Sequence, residues 1–120
     1  MTDPYSVHVQ DIPWDELFAD GTKAATLAGT REAGVQFTYA FFLPAGFWDA
    51  PHSHCADAHV YVMSGQLRLA FGADGDRSRA QIHPTGSYLL VPAGAVHFDG
   101  AEVDTIILGN AVGRWSTDYS

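Results

Sequence analysis

Two stretches of this chain set histidine, glycine and proline at spacings that few folds accommodate. The first reads GFWDAPHSHCADAHVYVMSG: Gly46, five residues, His52-x-His54, and Gly65 at the close. The second reads GSYLLVPAGAVHF: Gly86, five residues, Pro92-x-Gly94, two residues, His97. Side chains two apart in a strand share a face, so His52 and His54 point the same way. A metal ion needs that convergence, and neutral imidazole is a common ligand for it. His97 arrives as a third ligand from a turn made by Pro92 and Gly94. These spacings predict one divalent metal ion held by His52, His54 and His97 in a small β-barrel.

The rest of the chain reads as short β-rich runs separated by turn residues. Strands are expected at 6–10, 24–27, 35–43, 58–63, 66–71, 77–82, 87–91 and 105–109. Gly21, Gly29, Gly34, Pro44-Ala-Gly46, Ser64-Gly65, Pro84-Thr-Gly86 and Pro92-Ala-Gly94 punctuate them. Such a pattern implies an all-β sandwich or barrel. Asp74-Gly75 signals a hairpin between 66–71 and 77–82. Residues 14–18 are compatible with one helical turn.

At 120 residues the chain makes one domain, 1–120, with a metal-binding core at about 35–110. Apolar residues at 47% and charged ones at 17% suit a folded chain. Six basic residues against 14 acidic leave a net charge of −8, which repels phosphate backbones and argues against nucleic acid as a partner. No apolar run approaches the roughly 18 to 20 residues that cross a bilayer, so no membrane partner is expected. The single Cys55 and the absence of a basic, apolar leader predict a cytoplasmic protein.

The two histidine runs resemble the two motifs of the cupins. The first of these is Gly, five residues, His-x-His, three or four residues, Glu, six residues, Gly. The second is Gly, five residues, Pro-x-Gly, two residues, His, three residues, Asn. Gly46, Gly65, Gly86, Pro92, Gly94 and all three histidines match in register. A closer likeness is to small single-domain cupins with a His-Val-x-Val-x-Ser-Gly strand, here from His59 to Gly65, and a Gly-x-Trp, here Gly113-Arg-Trp115. The resemblance implies a double-stranded β-helix, a jelly-roll barrel whose mouth holds the metal. Cupins are commonly dimers, so it also implies a homodimer.

Two positions depart from the pattern: Ala58 stands where the family has Glu, and Ala101 where it has Asn. Losing the Glu removes the anionic ligand. Asp57 and His59 flank the gap, but strand alternation turns both away from the histidine face. A β-bulge would be needed to bring either inward, which makes His59 the candidate fourth ligand. Tyr39, Phe41 and Trp48 are candidates for lining the pocket. His8 and His83 read as solvent-facing or capping residues, and Cys55 as a buried or half-buried small side chain.

Three neutral imidazoles leave an ion its full charge and several open positions, which favours a chelating or anionic small-molecule substrate. The ligand set suits Fe(II), with Zn, Ni, Mn and Cu as alternatives. With iron, the resemblance implies a dioxygenase, since cysteine dioxygenase and β-diketone dioxygenase use three histidines. With zinc or nickel the same site serves a non-redox isomerase, cyclase or lyase, and a non-catalytic binding cupin is the third reading. No motif residue is an obvious general base.

Overall fold

The computed structural model describes residues 3–119. Eleven strands follow in chain order: β1 (Glu16–Leu17), β2 (Lys23–Ala28), β3 (Gln36–Leu43), β4 (His52–His54), β5 (Ala58–Ser64), β6 (Gln66–Phe71), β7 (Gln81–Pro84), β8 (Tyr88–Val91), β9 (His97–Gly100), β10 (Thr105–Val112) and β11 (Thr117–Tyr119). They form two antiparallel sheets, one ordered β1-β2-β3-β10-β5-β8 and the other β11-β4-β9-β6-β7. This is the jelly-roll arrangement of a double-stranded β-helix. Among the described residues no helix is long and apolar enough to cross a membrane.

Strand alternation builds the core. In β5, Ala58, Val60 and Val62 are buried while Tyr61 and Met63 are exposed. The inward set joins Leu43, Leu67, Leu69, Leu89, Val91, Ala101 and Ile107 in one apolar cluster, with Phe41, Phe47 and Trp115 packed on it. In β3 the outward Ala40 is buried as well, because Ile12, Val9 and Trp14 of the N-terminal segment cover that face. Both faces of β3 are therefore apolar, as expected for a strand covered on two sides.

Several local expectations change. Residues 6–10 form no strand; they lead into a 3₁₀ turn, Val9–Asp11, which His8 caps by accepting from the Gln10 amide at 3.1 Å. Residues 14–18 are not helical: Glu16–Leu17 pair with Lys23 and Ala24. Asp74-Gly75 does not close a two-residue hairpin. Asp74 instead accepts from the Asp76 amide and from the Arg79 guanidinium, and a 3₁₀ turn at Arg77–Arg79 precedes β7. The Asp74 carboxylate thus organises a longer loop around the arginine.

At Gly65 the chain turns from one sheet to the other with φ +78°. A Cβ there would collide with the Asp104 carbonyl and come within 2.9 Å of Thr105 Cα. The fully buried Thr105 hydroxyl accepts from the Gln66 amide at 3.1 Å and lies 3.0 Å from the Gln66 carbonyl, stitching the same corner. Gly34 has the same φ but open space around it. Gly34→Ala should therefore cost about 1 kcal/mol, the backbone strain alone. Gly65→Ala should cost about 3 kcal/mol or more, because strain and overpacking combine. Denaturant midpoints of the two variants check this, and equal losses would contradict it.

Candidate metal centre

The first histidine run forms β4, the second ends in β9, and the two strands pair with His52 directly opposite His97. The intervening turn is anchored to the first run. The Gly94 amide donates to the His54 carbonyl at 2.8 Å, and the Ala93 amide to Asp57 Oδ1 at 2.7 Å. The Pro92-x-Gly94 spacing thereby sets the register that brings His97 to His52. The rings of His52 and His97 are 4.3 Å apart, His52 and His54 5.0 Å, and His54 and His97 5.2 Å. One nitrogen from each of the three lies within 4.8 Å of the other two, a group compatible with a bound metal ion.

The tautomers follow from hydrogen bonding. His52 Nδ1 lies 2.7 Å from the Ala50 carbonyl, His54 Nδ1 3.1 Å from the Ser116 carbonyl, and His97 Nδ1 3.0 Å from the Ala95 carbonyl. A carbonyl can only accept, so each Nδ1 carries the proton and donates. In the neutral ring each Nε2 then keeps its lone pair, the state a metal ligand needs. Burial lowers the His54 pKa to about 4, with His52 and His97 acting in the same direction. Burial also lowers that of His97. Both rings are held neutral, so the donor set fits a divalent cation.

Ala58 faces the cavity, where the family's carboxylate would stand. His59 does not take its place. β5 runs beside β8 without a break from Ala58 to Tyr61, and its one irregularity, opposite Ile106 and Ile107, falls at Met63. His59 therefore stays on the outer face, its Nδ1 2.7 Å from the Tyr88 hydroxyl. Asp57 is occupied by the Ala93 amide.

Tyr39 and Phe41 line a cavity of about 550 Å³ that contains the three histidines. Trp48 does not. Phe47 and Asp49 take the inward positions, and alternation sends Trp48 outward against Gly100, with the Arg77 guanidinium 5.1 Å from its ring. Trp115 is the indole that belongs to the site, stacked on His54 at 4.3 Å and 20°. Cys55 is exposed rather than buried, its thiol donating to the Arg114 carbonyl at 3.1 Å.

Sequence reasoning missed four residues here: Asp49, Asp99, Trp115 and Tyr119. His97-x-Asp99 repeats the His52-x-His54 spacing, so Asp99 was detectable as a same-face carboxylate. Asp49 Oδ2 lies 3.6 Å from His52 Nδ1, and Tyr119 donates to Asp49 Oδ1 at 3.3 Å. Burial raises the Asp99 pKa, and the charge of Asp49 adds to the effect. The Tyr39 hydroxyl is raised above its ordinary value, first by burial and then by Asp99. The cavity thus contains carboxylates, Asp49 and Asp99, which the motifs alone did not reveal.

The family model described as the ChrR cupin-like domain matches residues 2–115. No curated protein matches the sequence. Among solved structures, the polyketide cyclase RemF from Streptomyces resistomycificus is 21% identical over 98% of this chain and 85% of its own, with a TM-score of 0.74. A cupin-like protein from Thermotoga maritima is 20% identical over 89% and 84%, with a TM-score of 0.72. An acetylacetone dioxygenase from Acinetobacter johnsonii is 19% identical over 94% and 76%, with a TM-score of 0.70. At these identities the likeness is one of fold.

The shift at His54 carries a pH dependence. In the metal-free chain the unfolded residue takes up its proton near 6.5, while the folded one resists protonation until about pH 4. Between those values the unfolded state binds more protons, so this contribution to stability is complete above about 6.5 and is lost as pH falls toward 4. Thermal melts of metal-free protein should show Tm falling through that window, with a shallower slope in His54→Gln. Identical slopes would contradict it.

Proposed function

The chain belongs to the ChrR cupin-like domain family, and from that premise we propose that it is a metal-dependent enzyme acting on a small chelating organic molecule. His52, His54 and His97 hold one divalent ion through Nε2. The observation that carries this reading is the set of three Nδ1-to-carbonyl hydrogen bonds, which commits three converging rings to the ligand tautomer. Held by these three neutral nitrogens, an ion would keep its double charge and would supply Lewis-acid polarisation of a chelating ligand. The side chains of Phe41, Phe47 and Trp115 give the cavity apolar walls, and Ala58 leaves room where a carboxylate would occupy space.

Fe(II) and dioxygen chemistry is the leading reading, supported by the all-nitrogen donor set and the absence of a carboxylate at Ala58. A non-redox isomerase or cyclase with zinc or nickel is the second, and a specific observation favours it: Asp99 and Tyr39 line the same cavity and can take or hold a proton beside the ligand. The folds of the dioxygenase and the cyclase are each compatible with one reading.

Protein purified without added metal should carry about one divalent ion per chain, and His52→Ala, His54→Ala or His97→Ala should lose it. His8→Ala and His83→Ala should retain it. Full metal content in His97→Ala would remove the assignment. Oxygen uptake by the iron-loaded chain against a panel of diketones, thiols and hydroxy compounds separates the redox reading from the non-redox one.

Ala58→Glu should tighten metal binding, because the carboxylate would supply a fourth, anionic ligand. His59→Ala should leave affinity unchanged, its ring being on the outer face. Competition with a metal-binding dye measures both, and metal release by His59→Ala would contradict the placement.

A further inference from the structure

The cavity holds polar groups that neither the barrel nor the three histidines use. The Tyr39 ring lies across Gly109 of β10, where any Cβ would collide with it. The missing side chain at Gly109 lets the ring lie flat and carry its hydroxyl into the cavity. Tyr39 is half-buried, and its hydroxyl makes no side-chain hydrogen bond to another described residue. Asp99, half-buried in the same cavity, has its own backbone amide as its one hydrogen-bond donor among the described residues. A carboxylate and a hydroxyl that line the cavity without side-chain partners are free to pair with a ligand that enters it.

Charge narrows the ligand further. The carboxylates of Asp49, Asp99 and Asp20 all act on the Tyr119 hydroxyl, so three acids gather on one side of the cavity. Arg31 is the only Lys or Arg among the lining residues. Its Nη1 donates to Thr26 Oγ1 at 2.7 Å, and the guanidinium lies 4.9 Å from the Phe37 ring centre. Four lining residues, Glu16, Asp20, Asp49 and Asp99, are acids against this one guanidinium, so an incoming carboxylate would meet a net negative wall. A hydroxyl can donate to Asp99 and accept from Tyr39 at once. The aromatic walls, Phe41, Phe47 and Trp115, suit an aromatic body.

We propose that Asp99 and Tyr39 hold the hydroxyl group of an uncharged, aromatic chelating substrate, and that the wall of Asp20, Asp49 and Asp99 turns carboxylate ligands away. This narrows the substrate expected from the bare ligand set, chelating or anionic, to a neutral one. The inference rests on the metal reading above.

The test uses the full chain loaded with Co(II), whose visible absorption reports ligand binding. The probes are mandelamide and mandelate, which share phenyl ring and hydroxyl and differ by an amide in place of a carboxylate. Comparing the ratio of their Kd values across variants cancels the metal's own preference for carboxylate. The mandelate-to-mandelamide Kd ratio should fall at least tenfold in Asp99→Asn. It should fall in the same direction in Asp20→Asn, where the amide oxygen can still accept from the Thr22 amide and hydroxyl as Asp20 does. Tyr39→Phe, which keeps the ring on Gly109, should weaken mandelamide at least fivefold with unchanged Co(II) content. If Asp99→Asn fails to fold, the Asp20→Asn ratio and the Tyr39→Phe affinity decide the question. Co(II) uptake with an unchanged ratio in the Asp variants, or unchanged mandelamide affinity in Tyr39→Phe, overturns this inference alone. A chain that takes up no Co(II) overturns the metal reading and this inference with it.

Discussion

Each of the three rings at the centre of this barrel is held by a main-chain carbonyl, from Ala50, Ala95 or Ser116, and the candidate site depends on those three hydrogen bonds. They fix the tautomer, and they also fix the ring plane, because an imidazole tied at one nitrogen loses its freedom about χ2. Part of the entropy of ordering the ligands is then lost on folding rather than on metal binding. The carbonyls come from separate places: the segment before β4, the turn before β9 and the segment before β11. Only the closed barrel brings these together. The fold therefore does more than carry the histidines, since it sets their protonation pattern through backbone groups that no side-chain substitution removes.

What surrounds the rings decides the electrostatics. With alanine at position 58, no carboxylate from β5 reaches the place an anionic ligand would take. Negative charge stands instead beside the ligands, at Asp49 behind His52 and at Asp99 one inward position beyond His97. A carboxylate bound to a divalent ion would cancel part of its charge. Carboxylates set around the cavity leave the ion's charge available and act on whatever enters with it. Trp115, stacked on His54, adds an apolar wall on the other side. The C-terminal segment thus contributes to one ligand twice, through the Ser116 carbonyl and through the indole.

The parts of this arrangement that were legible in the sequence are those set by local spacing. Period-two alternation identified β3, β5, β6 and β10 and the shared face of His52 and His54, and the Pro92-x-Gly94 turn announced the return of the chain to His97. The edges failed where tertiary packing overrides local signals. Val7 and Val9 look like strand residues, but the segment around them serves as a cover over β2 and β3 and ends in a 3₁₀ turn. Trp48 was attractive because it lies four residues before His52, yet Phe47 holds the inward position. Trp115 and Tyr119 carried no local sign of their place, because β11 reaches the site by pairing Thr117 with His54 and Tyr119 with His52, more than sixty residues away. Asp99 carried such a sign, two residues after a histidine on a strand, and its face was readable by the same rule that paired His52 with His54.

Long-range nitrogen–proton correlation NMR on ¹⁵N-histidine-labelled protein tests the central claim most directly. In the metal-free chain at neutral pH, His52, His54 and His97 should all be protonated at Nδ1, the minor tautomer of free histidine. On addition of zinc the Nε2 resonances of those three should shift, while those of His8 and His83 stay in place. Protonation at Nε2 in any of the three, or a zinc-dependent shift larger at Nδ1 than at Nε2, would contradict it.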